Sequence, residues 1–127
     1  LRAVQLYRAR ADDWNAQLVT VDQGLTDLLA EAQAGSPAAL YAQGEHMQQI
    51  GEVANAVVYH IGATTPPAAL VTLRNQSTAV AEAYLETARL TAVWLGEPSE
   101  SNRRIALEAL RTARALRIEW EASVWMN

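Results

Sequence analysis

No cysteine occurs in the chain. Its absence excludes disulfide frameworks, zinc–cysteine sites, iron–sulfur clusters and c-type haem attachment. It also removes any redox indication of compartment. Lysine is missing as well, since all ten basic residues are arginine. No Schiff-base lysine and no P-loop lysine can therefore exist. Residues 11–73 lack basic side chains altogether, while Asp12, Asp13, Asp22, Asp27, Glu31, Glu45 and Glu52 fall there. With a net charge of −4, such a chain is a poor nucleic-acid binder. No apolar run approaches the ~20 residues that span a bilayer, and no signal peptide is visible. The chain opens LRAVQLYRAR without an initiating methionine. We expect a trimmed start, with a signal or membrane tether upstream.

What is present suits one folded unit. The 127 residues are 50% hydrophobic and 19% charged, which places the chain among globular rather than disordered sequences. A chain of this length buries roughly two-thirds of its unfolded surface and needs no covalent staple. Residues 1–127 are read as a single domain. Its punctuation is regular. Gly35 closes a first segment, and Ser36-Pro37 supplies an N-cap followed by proline at the first helical position. Gly62 closes the second segment as a left-handed C-terminal residue. Thr65 caps the third, Pro66 starts it, and Gly96 ends it. These signals predict helices at about 3–34, 37–61, 66–95 and 99–125, with ends good to about 2–4 residues.

Hydrophobic periodicity supports the same division. Val4, Tyr7, Ala11, Trp14, Leu18, Val21, Leu25, Leu28 and Ala32 alternate spacings of three and four, which is the seam of a helix packed at a shallow angle. The second seam reads Leu40, Gly44, Met47, Gly51, Ala54, Val58 and Ile61. The third reads Leu70, Leu73, Val80, Tyr84, Leu85, Ala88 and Leu95. The fourth reads Ile105, Ala109, Leu116 and Trp120, flanked by Leu110, Ala113 and Val124. Connections this short make neighbouring helices antiparallel, so the expected fold is all-α, an up-down-up-down antiparallel four-helix bundle.

Bundles of this kind host metals, haem and phosphorelay histidines, and each demands particular residues. A di-iron site wants Glu-x-x-His on two helices. Neither His46 nor His60 has a glutamate three residues before it. The two histidines stand about 21 Å apart along one helix and cannot share an ion. Met47 and Met126 read as core fillers rather than haem ligands. A phospho-histidine at position 46 would face Glu45 and Glu52 with no cation nearby. Glu82 with Glu86, and Asp22 with Asp27, read as solvated faces rather than acid–base pairs. No metal ligand, catalytic residue or cofactor is assigned.

Three features point to binding. Gly44 and Gly51 share a helical seam, where each costs up to about 1 kcal/mol relative to alanine. The compensation is either a close approach by a neighbour, which is the preferred reading, or a cavity. The fourth helix carries a second stripe, Leu107, Arg111, Arg114, Ile118 and Trp125, about 180° from Leu116. It is a candidate partner interface, including self-association. Stacking antiparallel helices also gathers Tyr7, Trp14, Tyr59, His60, Trp120 and Trp125 at one end, a candidate wall for a small ligand or peptide.

The stretch PPAALVTLRNQSTAVAEAYLETARL, within residues 61–95, resembles helices of bacterial extracytoplasmic and lipoprotein-type helical domains. In these a Pro-Pro pair opens a long helix with leucines three apart, followed by alanine-rich turns. Some carry histidine where Arg74 stands here. The resemblance implies a tethered or secreted domain outside the cytoplasm. The functional expectation is a non-enzymatic bundle that contacts itself or another protein through the fourth helix. The alternative is a sensor or carrier with a small-molecule site at the aromatic end.

Overall fold

The computed structural model describes residues 1–30, 37–123 and 126, and only the backbone of 37–41. Four helices carry them: α1 (Arg2–Ala30), α2 (Pro37–Ala63), α3 (Val71–Gly96) and α4 (Glu100–Ala122). A 3-10 turn, Ala68–Leu70, precedes α3, and no strand occurs among the described residues. The helices pack as a four-helix bundle. On α1 the alternating spacing holds: Tyr7, Ala11, Trp14, Leu18, Val21, Leu25 and Leu28 are all buried. Asn15, Asp22 and Leu29 of α1 bond to Glu121, Arg114 and Arg103 of α4 in turn, so these two helices run in opposite directions.

α3 is the centre of the arrangement. It packs against α1, α2 and α4, whereas α2 and α4 scarcely touch. Its buried face includes Ser77, Thr87 and Thr91, which look unsuited to a core. Each hydroxyl donates to the carbonyl oxygen four residues back, at 2.8 Å, so none of these three hydroxyls is buried unpaired. A seam drawn from apolar residues alone misses these positions and also Trp94, which is 2% exposed.

The boundaries correct several expectations. Gly62 lies inside α2, which continues to Ala63, and no described glycine has positive φ. The helix closes instead on Thr64, whose Oγ1 donates to the His60 carbonyl at 2.7 Å. Nor do Thr65 and Pro66 begin the third helix. Each residue preceding a proline is pushed out of the α region, and Thr65 and Pro66 are not helical. Pro67 is extended (φ −58°, ψ 152°), and one 3-10 turn intervenes before α3 starts at Val71. At the start of α4 the cap is Ser99, which the sequence reading did not single out, its side chain accepting from the Asn102 amide at 3.0 Å. That helix stops at Ala122, earlier than the expected 125, because Ser123 turns extended. The stop signal Gly35, the N-cap Ser36, the seam residue Val124 and Trp125 lie outside the described residues. So does any continuation of α1 beyond Ala30; Arg103 Nε donates to the Leu29 carbonyl at 3.0 Å.

Two seams are also rotated. On α2 the core is Met47, Ile50, Ala54, Val57 and Ile61, and Gly44 faces solvent. On α4 it is Ala106, Leu110, Ala113 and Trp120, while Ile105 is 43% exposed. The expected α4 seam avoided arginines, yet Arg117 sits on the inner face for a reason that its partners supply.

Candidate functional site

Two built features stand out, an open groove and a buried polar cluster. The groove runs between α2 and α3, holds about 600 Å³, and is lined by residues of those two helices alone. Its floor is apolar: Met47, Gly51 and Val58 from α2, and Leu85, Ala88 and Ala92 from α3. Gln48, Glu82, Glu86 and Arg89 form its margins. Small side chains at positions 51, 88 and 92 keep the two helices from closing the seam. α4 packs on α3 and scarcely touches α2, and among the described residues no third helix lines the groove. From Met47 to Val58 the groove follows α2 for about 16 Å. Arg89 donates to Glu86 from both Nε (2.9 Å) and Nη2, which holds the Glu86 carboxyl below its ordinary range.

The groove explains half of the glycine problem. A β-carbon at Gly51 would meet nothing within 4 Å, nor would one at Gly44. Close packing, the preferred reading of both, is therefore not the compensation. Gly51 lines the groove, and nothing in the structure explains Gly44. The close approach is at Gly24, where a β-carbon would lie 2.5 Å from Ile50 Cδ1.

The polar cluster joins α1, α3 and α4 around Asp22. Its carboxylate is buried, accepting from the Tyr84 hydroxyl at 2.6 Å and from Arg114 Nε and Nη2 at 3.1 and 2.8 Å. Arg117 donates from Nε to the Tyr84 oxygen at 2.9 Å and from Nη1 to Glu121 at 2.8 Å. Asn15 donates to the same Glu121 oxygen at 3.0 Å. Burial pushes the Asp22 carboxyl up, but the bonds from Arg114 and Tyr84 and the charges of Arg114 and Arg117 outweigh it, leaving the pKa below normal. Burial and the adjoining Asp22 push the Tyr84 hydroxyl well above its ordinary value. Near neutral pH the pair is thus a fixed carboxylate and a fixed phenol, each already engaged. That suits holding three helices in register better than moving a proton. Reading Asp22 as part of a solvated face with Asp27 is corrected: Asp27 is exposed, Asp22 is not. The legible signals were an acid beside the α1 seam and Arg114, Arg117 and Glu121 at helical spacing.

The aromatic set divides. Tyr7, Trp14 and Trp120 are 4%, 3% and 1% exposed, packed in the core, with Tyr7 edge-on to Trp14 at 5.6 Å. Tyr59 is 69% exposed and meets the exposed His60 edge-on, because Val57 and Ile61 take the inner face of α2. The three core rings are almost wholly buried, Tyr7 bordering a cavity beside Thr64–Pro67 and Trp120 one between α3 and α4, and Trp125 lies outside the described residues. The α4 stripe divides too. Leu107 is half-buried against the core and Arg114 is bound to Asp22, so both serve the bundle. Arg111 and Ile118 remain exposed, Ile118 at 54%.

Among the described residues no group of three or more His, Asp or Glu is placed to hold a metal ion. No described helix is long and apolar enough to cross a membrane. No family model matches the chain, and no curated protein and no solved structure is similar to it.

Proposed function

We propose that this chain is a non-enzymatic interaction domain that receives a helical segment of another protein in the groove between α2 and α3. The observation that carries this reading is the groove itself, an apolar channel of about 600 Å³ that the bundle leaves uncovered. An apolar trough between two helices is the receiving half of helix-in-groove recognition. The Asp22 cluster supports the same role by holding α1, α3 and α4 in fixed register, which keeps one side of the trough rigid. An arginine-free stretch through residues 11–73 and acidic margins speak against nucleic acid.

The test is photo-cross-linking in the native host from a probe at Ala92, with a probe at Asp27 as control. We expect protein adducts from position 92 that disappear when Gly51→Leu fills the groove. Equal yields from both probes, or adducts indifferent to Gly51→Leu, refute the reading. Self-association through α4 is a second reading, favoured by the exposed Ile118 beside Arg111. It predicts a dimer in sedimentation that Ile118→Glu dissociates. Placement outside a bacterial cytoplasm rests on the resemblance within residues 61–95, and fractionation of the host checks it.

A further inference from the structure

We infer that the occupant of the groove is an amphipathic helix whose apolar face is flanked by arginine or lysine. This rests on the reading of the groove as a docking site and adds the charge of what docks. The floor asks for an apolar stripe, but the margins decide the sign. Glu82 and Glu86 stand on the α3 side. On the α2 side Gln48 lines the margin and donates to Glu52, and α2 carries Glu45 and Glu52 but no arginine or lysine. Arg89 is the arginine at the groove, and its charge is spent on Glu86 one turn away. Glu82 makes no ion pair among the described residues. The rim is therefore net negative. An acidic helix would meet like charge there, while a basic one would pair with Glu82 and be steered in by the acid-rich α2.

Gly51 sets how close that helix comes. Glycine is a poor helix former, and neither backbone conformation nor a neighbouring side chain requires it at this position. What its missing side chain provides is space on the groove floor, opposite Ala88 and Ala92. Small residues of this kind let two helix backbones approach. A groove of about 16 Å takes three turns of helix.

The test uses the whole chain and two synthetic 16-residue helical peptides. They share one leucine face at i, i+3, i+7 and differ in their flanks, arginine in one and glutamate in the other. Fluorescence anisotropy of labelled peptides is read at low and at 0.5 M salt. We expect the arginine peptide to bind about tenfold tighter at low salt, the preference shrinking in high salt. Gly51→Leu should weaken binding at least tenfold without loss of thermal stability, since its β-carbon enters open space. Ala92→Arg, at an exposed position, gives a second block that repels the basic peptide. Equal binding of the two peptides overturns the charge assignment while leaving the groove as a docking site. Binding of neither, or binding unaffected by both substitutions, overturns the docking site itself. A dimer of the free protein that Gly51→Leu dissociates makes a second copy the occupant and overturns the inference in another way.

Discussion

Replacing Asp22 by asparagine probes the electrostatic part of the α1–α3–α4 junction, because the side chain keeps its shape while losing its charge and exchanging one acceptor oxygen for an N–H donor. In the parent its carboxylate accepts from Tyr84 at 2.6 Å and from Arg114 at 2.8 and 3.1 Å, with Arg117 at 3.8 Å. Removing one partner of a buried ion pair costs about 3–5 kcal/mol, chiefly because the other charge is stranded. Here the stranding is partial. The Arg114 side chain is 39% exposed and can return to water, and Arg117, at 14%, keeps Glu121. The loss should sit at the lower end, about 3 kcal/mol at pH 7. For a chain of this length that is a fall of about 10 °C in Tm. The pH dependence follows from the depressed pKa. A carboxyl whose folded pKa lies below its unfolded value contributes stability above the unfolded pKa, and that contribution disappears as pH falls through the folded one. The gap between parent and Asp22→Asn should therefore be full above about pH 4 and close progressively below it. Urea unfolding of both proteins at pH 7, 4 and 2.5 measures the gap. A difference under about 1 kcal/mol at pH 7, or one that survives unchanged in acid, refutes the reasoning. Asp27→Asn, at an exposed site, is the control and should stay within about 0.5 kcal/mol.

The glycines give a paired test. Gly44→Ala should stabilise by about 0.5–1 kcal/mol, since α2 gains a better helix former and the new methyl meets nothing. Gly24→Ala should destabilise by about 1–3 kcal/mol because Ile50 must move, and Ile50→Val on that background should recover part of the loss by removing Cδ1. At the alkaline end, Tyr84 holds its proton in the fold while an unfolded tyrosine releases it near pH 10. Stability should therefore fall as pH rises beyond about 10, and less steeply in Tyr84→Phe, as read by urea midpoints between pH 8 and 11.

Fold class was legible because it rests on redundant signals. Seven seam residues of α1 repeat one spacing, and all are buried. The turn EPSESNRR also marks the entry to α4, which begins at Glu100. Other readings failed where one residue type has two uses. Glycine near a helix end suggests a left-handed stop, yet Gly62 is an ordinary helical residue and Thr64 closes the turn. Proline suits a first helical position, but two in succession keep the chain out of the helix through Pro67. The α4 seam was misplaced because an arginine on the inner face contradicts a count of apolar residues. Arg117 becomes acceptable there only through Tyr84 and Glu121, one of them on another helix. Likewise the clustering of aromatics at one end follows from helix lengths, but whether a ring faces core or solvent follows from its phase. Trp14 and Tyr59 differ in phase, so the end of the bundle forms no common wall.

The same polar residues that escaped the count also bear on the groove. Four helices around one core share four seams, and all four are packed here, so the groove is the outer side of the α2–α3 seam. Here Arg114, Arg117, Glu121 and Arg103 tie α4 to α1 and α3 by bonds whose directions are fixed, and α4 cannot roll toward α2 without breaking them. α2 is tied by packing, through contacts such as Ile50 against Gly24. The small residues Gly51, Ala88 and Ala92 leave the outer side of the α2–α3 seam unfilled. The cluster therefore acts on the groove through α3, which carries both Tyr84 and one wall of the trough. Loosening the cluster should then reach the groove: if Asp22→Asn frees α4 to shift, peptide binding between α2 and α3 should weaken even though no residue of the groove has changed. Unaltered binding in a folded Asp22→Asn protein would mean that α2 and α3 hold the trough by themselves.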